Sequence, residues 1–128
     1  MLMTVTTGKS MAQLREDLPR AAAGRNFGVL AVLDLKEKMR EKGVPYAGEA
    51  QVYEICNPQK AREVLEAAPE LAAVLPCRIS VYVGRDGQTR LATVRPSSLI
   101  AALGAKGVDG PAREVEETLA GILEDAAR

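Results

Sequence analysis

Two cysteines, Cys56 and Cys77, are the residues of this chain with the clearest potential for chemistry. A thiolate is a strong nucleophile and a soft metal ligand, and the local pKa decides whether it is available. Cys56 stands just before Asn57-Pro58, a pair that signals a helix start twice, with Asn as N-cap and Pro at the first helical position. The N–H groups and dipole at such a terminus favour a thiolate. The same residue is equally compatible with simple space-filling, because free cysteine is among the most buried residue types. Its neighbours of like parity, Val52 and Glu54, describe a mixed face. Cys77 precedes Arg78, whose charge would also favour a thiolate, yet it shares parity with Ile79, Val81 and Val83, so the core is expected for it. The two are too far apart for a Cys-x-x-Cys redox motif and supply half of a zinc site; four cysteines across a dimer would complete one. A disulfide requires the strand that ends at Cys56 to lie beside the one that starts at Cys77, and intracellular conditions disfavour it. Reduced thiols are expected.

The chain contains no histidine, which removes His-based triads, His acid–base catalysis and His metal ligation together. Glu54 is the carboxylate nearest a cysteine in sequence; beside a Cys and an Arg it could transfer protons, although a strand residue with a salt-bridge partner is the simpler expectation. Gly8-Lys9-Ser10 resembles the end of a phosphate-binding loop, but Met3 occupies the position where that pattern needs a glycine, and Ser10 is explained as a helix cap. Charge is balanced, 17 basic against 17 acidic residues, and the aromatics are only Phe27, Tyr46, Tyr53 and Tyr82. Without a basic stripe or stacking platform, nucleic-acid binding is not expected. The longest apolar run, 27–33, falls far short of the ~20 residues of a membrane span, and the N-terminus lacks the pattern of a secretory signal. A soluble cytoplasmic protein is expected, without a membrane or nucleic-acid partner.

The elements that must position these residues follow from local pattern. Residues 2–5 suit a first strand. Ser10 with Gln13 forms a capping-box pattern, and Met11, Leu14, Leu18, Ala21 and Ala22 recur at helical spacing, with a kink or restart expected at Pro19 and a stop at Gly24. Residues 27–33 are apolar on both parities, which suggests a central or doubly covered strand. Residues 35–42 suggest a short helix ended by Gly43, and 51–55 a third strand. After Asn57-Pro58, the positions Ala61, Val64, Leu65 and Ala68 give an inner helix face, while the mixed charges of 36–42 and 60–66 suit solvated faces. Residues 78–83 alternate as a half-buried strand, and Asp86-Gly87 turns them into a hairpin with 90–94. Tyr53 and Tyr82 are expected at the core edge with their hydroxyls reaching water. A short helix over 97–103, a glycine-rich loop over 104–110 and a final helix opened by Pro111 complete the chain. In that helix Val115, Leu119, Ile122 and Ala126 form one stripe, more simply core than interface. One α+β domain over 1–128 is the reading, because no repeat or linker divides it.

Phe27-Gly28-Val29, Tyr53-Glu54-Ile55-Cys56-Asn57-Pro58 with Ala61 and Leu65, and Leu75-Pro76-Cys77-Arg78 followed by a strand and Asp86-Gly87 resemble the domain-of-unknown-function family 302. The signature region runs from about residue 2 to 96, ahead of the C-terminal helix at about 111–127. The resemblance implies a mainly antiparallel sheet of about five strands, with helices packed on one face in a TATA-binding-protein-like arrangement. It also admits a homodimer. It transfers no catalytic role and no cofactor; Cys56, Asn57, Pro58, Leu75, Pro76, Cys77 and Arg78 carry over only as a signature.

Three functions fit these residues. The first is a non-enzymatic domain binding a small molecule or partner between sheet and helices, with Cys56, Asn57, Cys77, Arg78 and Glu54 as candidate ligand-binding residues. The second is a thiol-based redox or metal-handling protein using Cys56 and Cys77. The third is a structural or oligomerisation module using the final helix.

Overall fold

A computed structural model describes residues 1–128. Five strands, β1 (Leu2–Thr7), β2 (Gly28–Asp34), β3 (Ala50–Cys56), β4 (Cys77–Val83) and β5 (Thr89–Val94), form one sheet in the order β1-β5-β4-β3-β2. Every neighbouring pair is antiparallel. The helices are α1 (Met11–Ala23), α2 (Leu35–Glu41), α3 (Pro58–Ala67), α4 (Pro96–Leu103) and α5 (Asp109–Ala127), with a 3-10 turn at Pro69–Val74. This is the expected α+β architecture with an antiparallel five-stranded sheet.

Strand register produces the core. Val5 lies opposite Leu91, Leu91 opposite Val81, and Tyr53 between Ile79 and Val32, so apolar residues of successive strands share a face. Leu14, Leu18 and Ala22 of α1 and Val115, Leu119, Ile122, Leu123 and Ala126 of α5 close over that face in one buried cluster. Each fully buried Leu or Ile there contributes about 1.5–3 kcal/mol relative to exposure. A second, smaller cluster joins Ala68, Leu71, Ile100, Val108 and Ala112.

The N- and C-terminal elements are tied together by polar groups. Thr7 Oγ1 donates to the Ala127 carbonyl (2.7 Å), and Lys9 Nζ donates to the Ala126 carbonyl (2.9 Å) while pairing with Asp17 (2.7 Å). A cation at the C-terminal end of α5 meets the negative end of its dipole. Ser10 accepts from Gln13 N–H and Gln13 caps Ser10 in return, completing the capping box. Gly8-Lys9-Ser10 therefore joins β1 to α1 and holds α5.

Several expectations change. Residues 27–33 do not form a central strand: β2 is at the sheet edge, and Leu30 is exposed. The apolar run covers both parities because a bulge between Val29 and Ala31 shifts the register, bringing Val29 opposite Ile55 and Val32 opposite Tyr53. Helix α1 continues through Pro19 without a restart. Gly24 caps it in a right-handed conformation, and the left-handed residue is Asn26 (φ 64°), after which Phe27 N–H returns to the Ala22 carbonyl. Tyr53 is fully buried rather than at the core edge, its hydroxyl 3.4 Å from Gln51 Oε1, and burial raises its pKa. Helix α5 begins at Asp109, so Gly110 lies within a helix and the loop is shorter than expected. Its apolar stripe of Val115, Leu119, Ile122 and Ala126 is buried in the intramolecular core.

Leu18 is inaccessible between α1 and the sheet. Leu18→Ala should therefore cost about 2–5 kcal/mol in urea unfolding, and a loss below about 1 kcal/mol would contradict this packing.

Candidate functional site

Between the two buried clusters lies a cavity of about 270 Å³. Four local features shape it. Asn57 caps α3 by accepting the Lys60 N–H (3.1 Å) and Pro58 takes the first helical position, so β3 turns directly into α3 at Cys56. Antiparallel pairing sets Ile55 opposite Cys77, which brings the end of β3 beside the start of β4. The 3-10 turn returns the chain from α3 to β4 through a cis Leu75–Pro76 peptide, which also lies in the wall. Finally, Ala112, Val115 and Leu119 of α5 cross beneath. Alanines at 61, 73 and 112 line this recess with small side chains.

The wall is largely apolar: 16 of its 22 residues are hydrophobic, the two cysteines among them. Its polar groups are few. Cys56, Asn57, Cys77 and Arg78 all belong to it, together with Lys60 and Thr93. Glu54 does not; it lies opposite Arg78 across the strand pair and forms an ion pair with it at 3.5 Å. Thr93 Oγ1 donates to the Arg78 carbonyl (2.7 Å), fixing β5 to β4 at this end of the sheet. Lys60 Nζ contacts Glu114 of α5 and lies 3.4 Å from Glu63. The hydrogen bond to Glu114 is the main reason its pKa is raised. No carboxylate lines the cavity, so its charged wall residues are two cations.

Both cysteines are half-buried, and they are close enough for charge on Cys56 to affect Cys77. Burial, and secondarily Cys56, pushes the Cys77 thiol up to about 11. Cys77 also packs against the larger core cluster, beside strand neighbours Ile79 and Val81. At neutral pH it is a protonated, small apolar group. No cluster of three or more Cys, Asp or Glu residues is arranged to hold a metal ion.

Four of the five candidate residues thus meet in one cavity wall. Lys60 was not among them: its place in a mixed-charge run suggests a solvated face, yet the structure sets it in the wall beside Ala61. Its position three residues after the Asn57 cap, next to an apolar helix face, is the available signal. Thr93 offers none, because Ser and Thr in strands satisfy many roles.

An antiparallel five-stranded sheet with α1 and α5 closed over one face, and an apolar cavity at the strand ends, defines a small α+β protein with an internal recess. The family model "Domain of unknown function DUF302" matches residues 3–126, and the chain belongs to that family. A similar solved structure is that of an uncharacterized conserved DUF302 protein from Bacillus stearothermophilus, with TM-score 0.92 and 29% identity, covering 99% of this chain and 98% of that one. An uncharacterized protein of Aquifex aeolicus (strain VF5) is 30% identical over 83 residues, which are 65% of this chain and 51% of the relative. The chain spans about half the length of that curated relative at the matched region.

The raised Cys77 pKa has a defined pH signature. Between the ordinary thiol value of 9.0 and about 11, the unfolded chain loses this proton while the folded chain keeps it. The stability linked to Cys77 is therefore complete below pH 9 and is lost as pH rises to about 11. Peptide-resolved iodoacetamide labelling of the folded protein should show the Cys77 rate still climbing steeply above pH 10. A rate that levels off by pH 10 would show an ordinary, accessible thiol instead.

Proposed function

We propose that this protein binds a small, predominantly apolar molecule in the cavity between β3, β4, α3 and α5, without performing chemistry on it. The apolar cavity carries the reading, since its wall converges on a few polar groups. Size limits the ligand. A dry apolar cavity of about 150 Å³ accepts benzene, so 270 Å³ suits a molecule on the order of ten non-hydrogen atoms. The ligand gains by removing apolar surface from water, and the wall gains the contacts that an unfilled space lacks.

The thiol reading is supported by one observation, the shared placement of Cys56 and Cys77 in this wall. The high pKa of Cys77 argues against its use as a nucleophile at neutral pH. No helix is long and apolar enough to cross a membrane.

Titrating 1-octanol into the labelled protein should shift amide resonances of Ile55, Ala61, Val74 and Cys77 together and saturably. Ala61→Phe, which places a ring in the recess, should weaken octanol binding at least about tenfold while the thermal midpoint is kept or raised. Scattered, non-saturating shifts, or an Ala61→Phe protein that binds octanol as well as the parent, would overturn the proposal.

A further inference from the structure

The cavity has a chemical polarity that its apolar lining alone does not specify. Its only charged wall residues are Lys60, from α3, and Arg78, from β4. They enter from different elements. Their carboxylate partners, Glu63 and Glu114 for Lys60 and Glu54 for Arg78, all lie outside the wall.

Neither cation is fully used by its partner. Arg78 makes one loose contact to Glu54 at 3.5 Å, and a guanidinium has five N–H donors. Lys60 engages two carboxylates, and an ammonium has three donors. Asn57 uses its side-chain oxygen to cap α3 through the Lys60 N–H, and that is the only hydrogen bond its side chain makes, so both N–H bonds of its amide are available. The polar part of the wall therefore offers donors. The Asn57 oxygen already accepts the Lys60 N–H of its cap, and the Arg78 carbonyl already accepts from Thr93 Oγ1.

We infer that the ligand is an anionic amphiphile, with a carboxylate-type head received by Lys60, Arg78 and the Asn57 amide and an aliphatic chain of about six to eight carbons lying in the recess, the length following from the volume argument above. This deepens the binding reading and rests on it. A cationic head would meet two like charges in the wall, while the three carboxylates that pair with them stand outside it. A neutral alcohol would fill the recess but give the remaining donors no charged acceptor. The preference has to be local, because the chain as a whole carries equal numbers of acidic and basic residues.

Three ligands of equal chain length separate the two levels of the argument: octanoate, 1-octanol and octylamine, each titrated at pH 7 by calorimetry against the intact protein. Octanoate should bind at least about tenfold tighter than octanol, and octylamine weakest. Raising ionic strength should erode the octanoate advantage and leave octanol unchanged. In the Lys60→Gln/Arg78→Gln protein the octanoate-to-octanol affinity ratio should fall to about one, with the circular dichroism spectrum read alongside to show that the fold is kept. Arg78→Lys on the parent background should retain most of the octanoate advantage. Equal binding of octanoate and octanol, tighter binding of octylamine, or an octanoate preference surviving the double substitution would overturn the anionic-head inference and leave the recess as an apolar site. Binding of none of the three would overturn the apolar-site reading itself.

Discussion

The packing of α5 against two separate clusters constrains everything else in this molecule. Val115, Leu119, Ile122, Leu123 and Ala126 belong to the core that the sheet shares with α1, whereas Ala112, one turn earlier, belongs to the cluster with Leu71, Ile100 and Val108. Protein interiors normally close to crystal-like density. Here one rigid helix contributes to both clusters and sets their separation, so neither can collapse onto the other. The space left beside Ala112, Val115 and Leu119 is the recess. Hydrogen bonds from Thr7 and Lys9 to the last carbonyls of α5 hold the far end of this beam against β1. Its other end is held through Glu114 to Lys60 and through Glu116, which accepts from the Ser97 N–H and hydroxyl at the start of α4. The Lys60–Glu114 ion pair among these contacts is partly exposed and individually weak. Its value is geometric, because it attaches α3, one wall of the recess, to α5.

Much of this frame is legible from residue types. Asn57-Pro58 marks the start of α3, Ser10 with Gln13 that of α1, and Asp86-Gly87 the β4–β5 turn, where Gly87 has φ +81°. These are signals in which one or two side chains determine backbone geometry. Misreadings occur where a tertiary arrangement reinterprets a local pattern. Residues 27–33 are apolar on both parities, and sequence alone cannot separate two-sided burial from a bulge that turns the strand over midway. The bulge is the answer, and β2 lies at the edge with Leu30 open to water. Pro19 illustrates a milder case. Its missing N–H costs one helical bond, but Leu14, Leu18 and Ala22 all enter the same core, and tertiary burial keeps α1 continuous.

The site itself is legible in part for the same reason. Cys56, Asn57, Cys77 and Arg78 stand at element ends, and in an antiparallel sheet the end of one strand meets the start of its partner, so the four gather wherever β3 pairs with β4. Glu54 belongs to that pairing too, but one residue of register sends it to Arg78 rather than to the recess. Lys60 is hidden in a mixed-charge run whose pattern describes most of α3 correctly. The alanines that leave the recess open are silent in the sequence, because nothing local distinguishes an alanine beside a void from one packed tightly.

The cysteines and the cations therefore serve the recess in different ways. A thiol in this wall carries little charge while its pKa is held high by burial, and sulfur is polarizable, so Cys77 extends the apolar lining at no cost in unsatisfied hydrogen bonds. Ionising it would place a negative charge where desolvation opposes one. Lys60 and Arg78 retain access to water and to outlying carboxylates, so they hold positive charge beside an apolar space without the penalty of burying it alone. This separates the wall into a region that excludes charge and a region that supplies it. Reactive dithiol chemistry would require the reverse placement, with a cation beside the buried sulfur to lower its pKa. The direction of the Cys77 shift is set instead by desolvation, and that physical difference favours a receptor for a two-ended molecule over a redox centre.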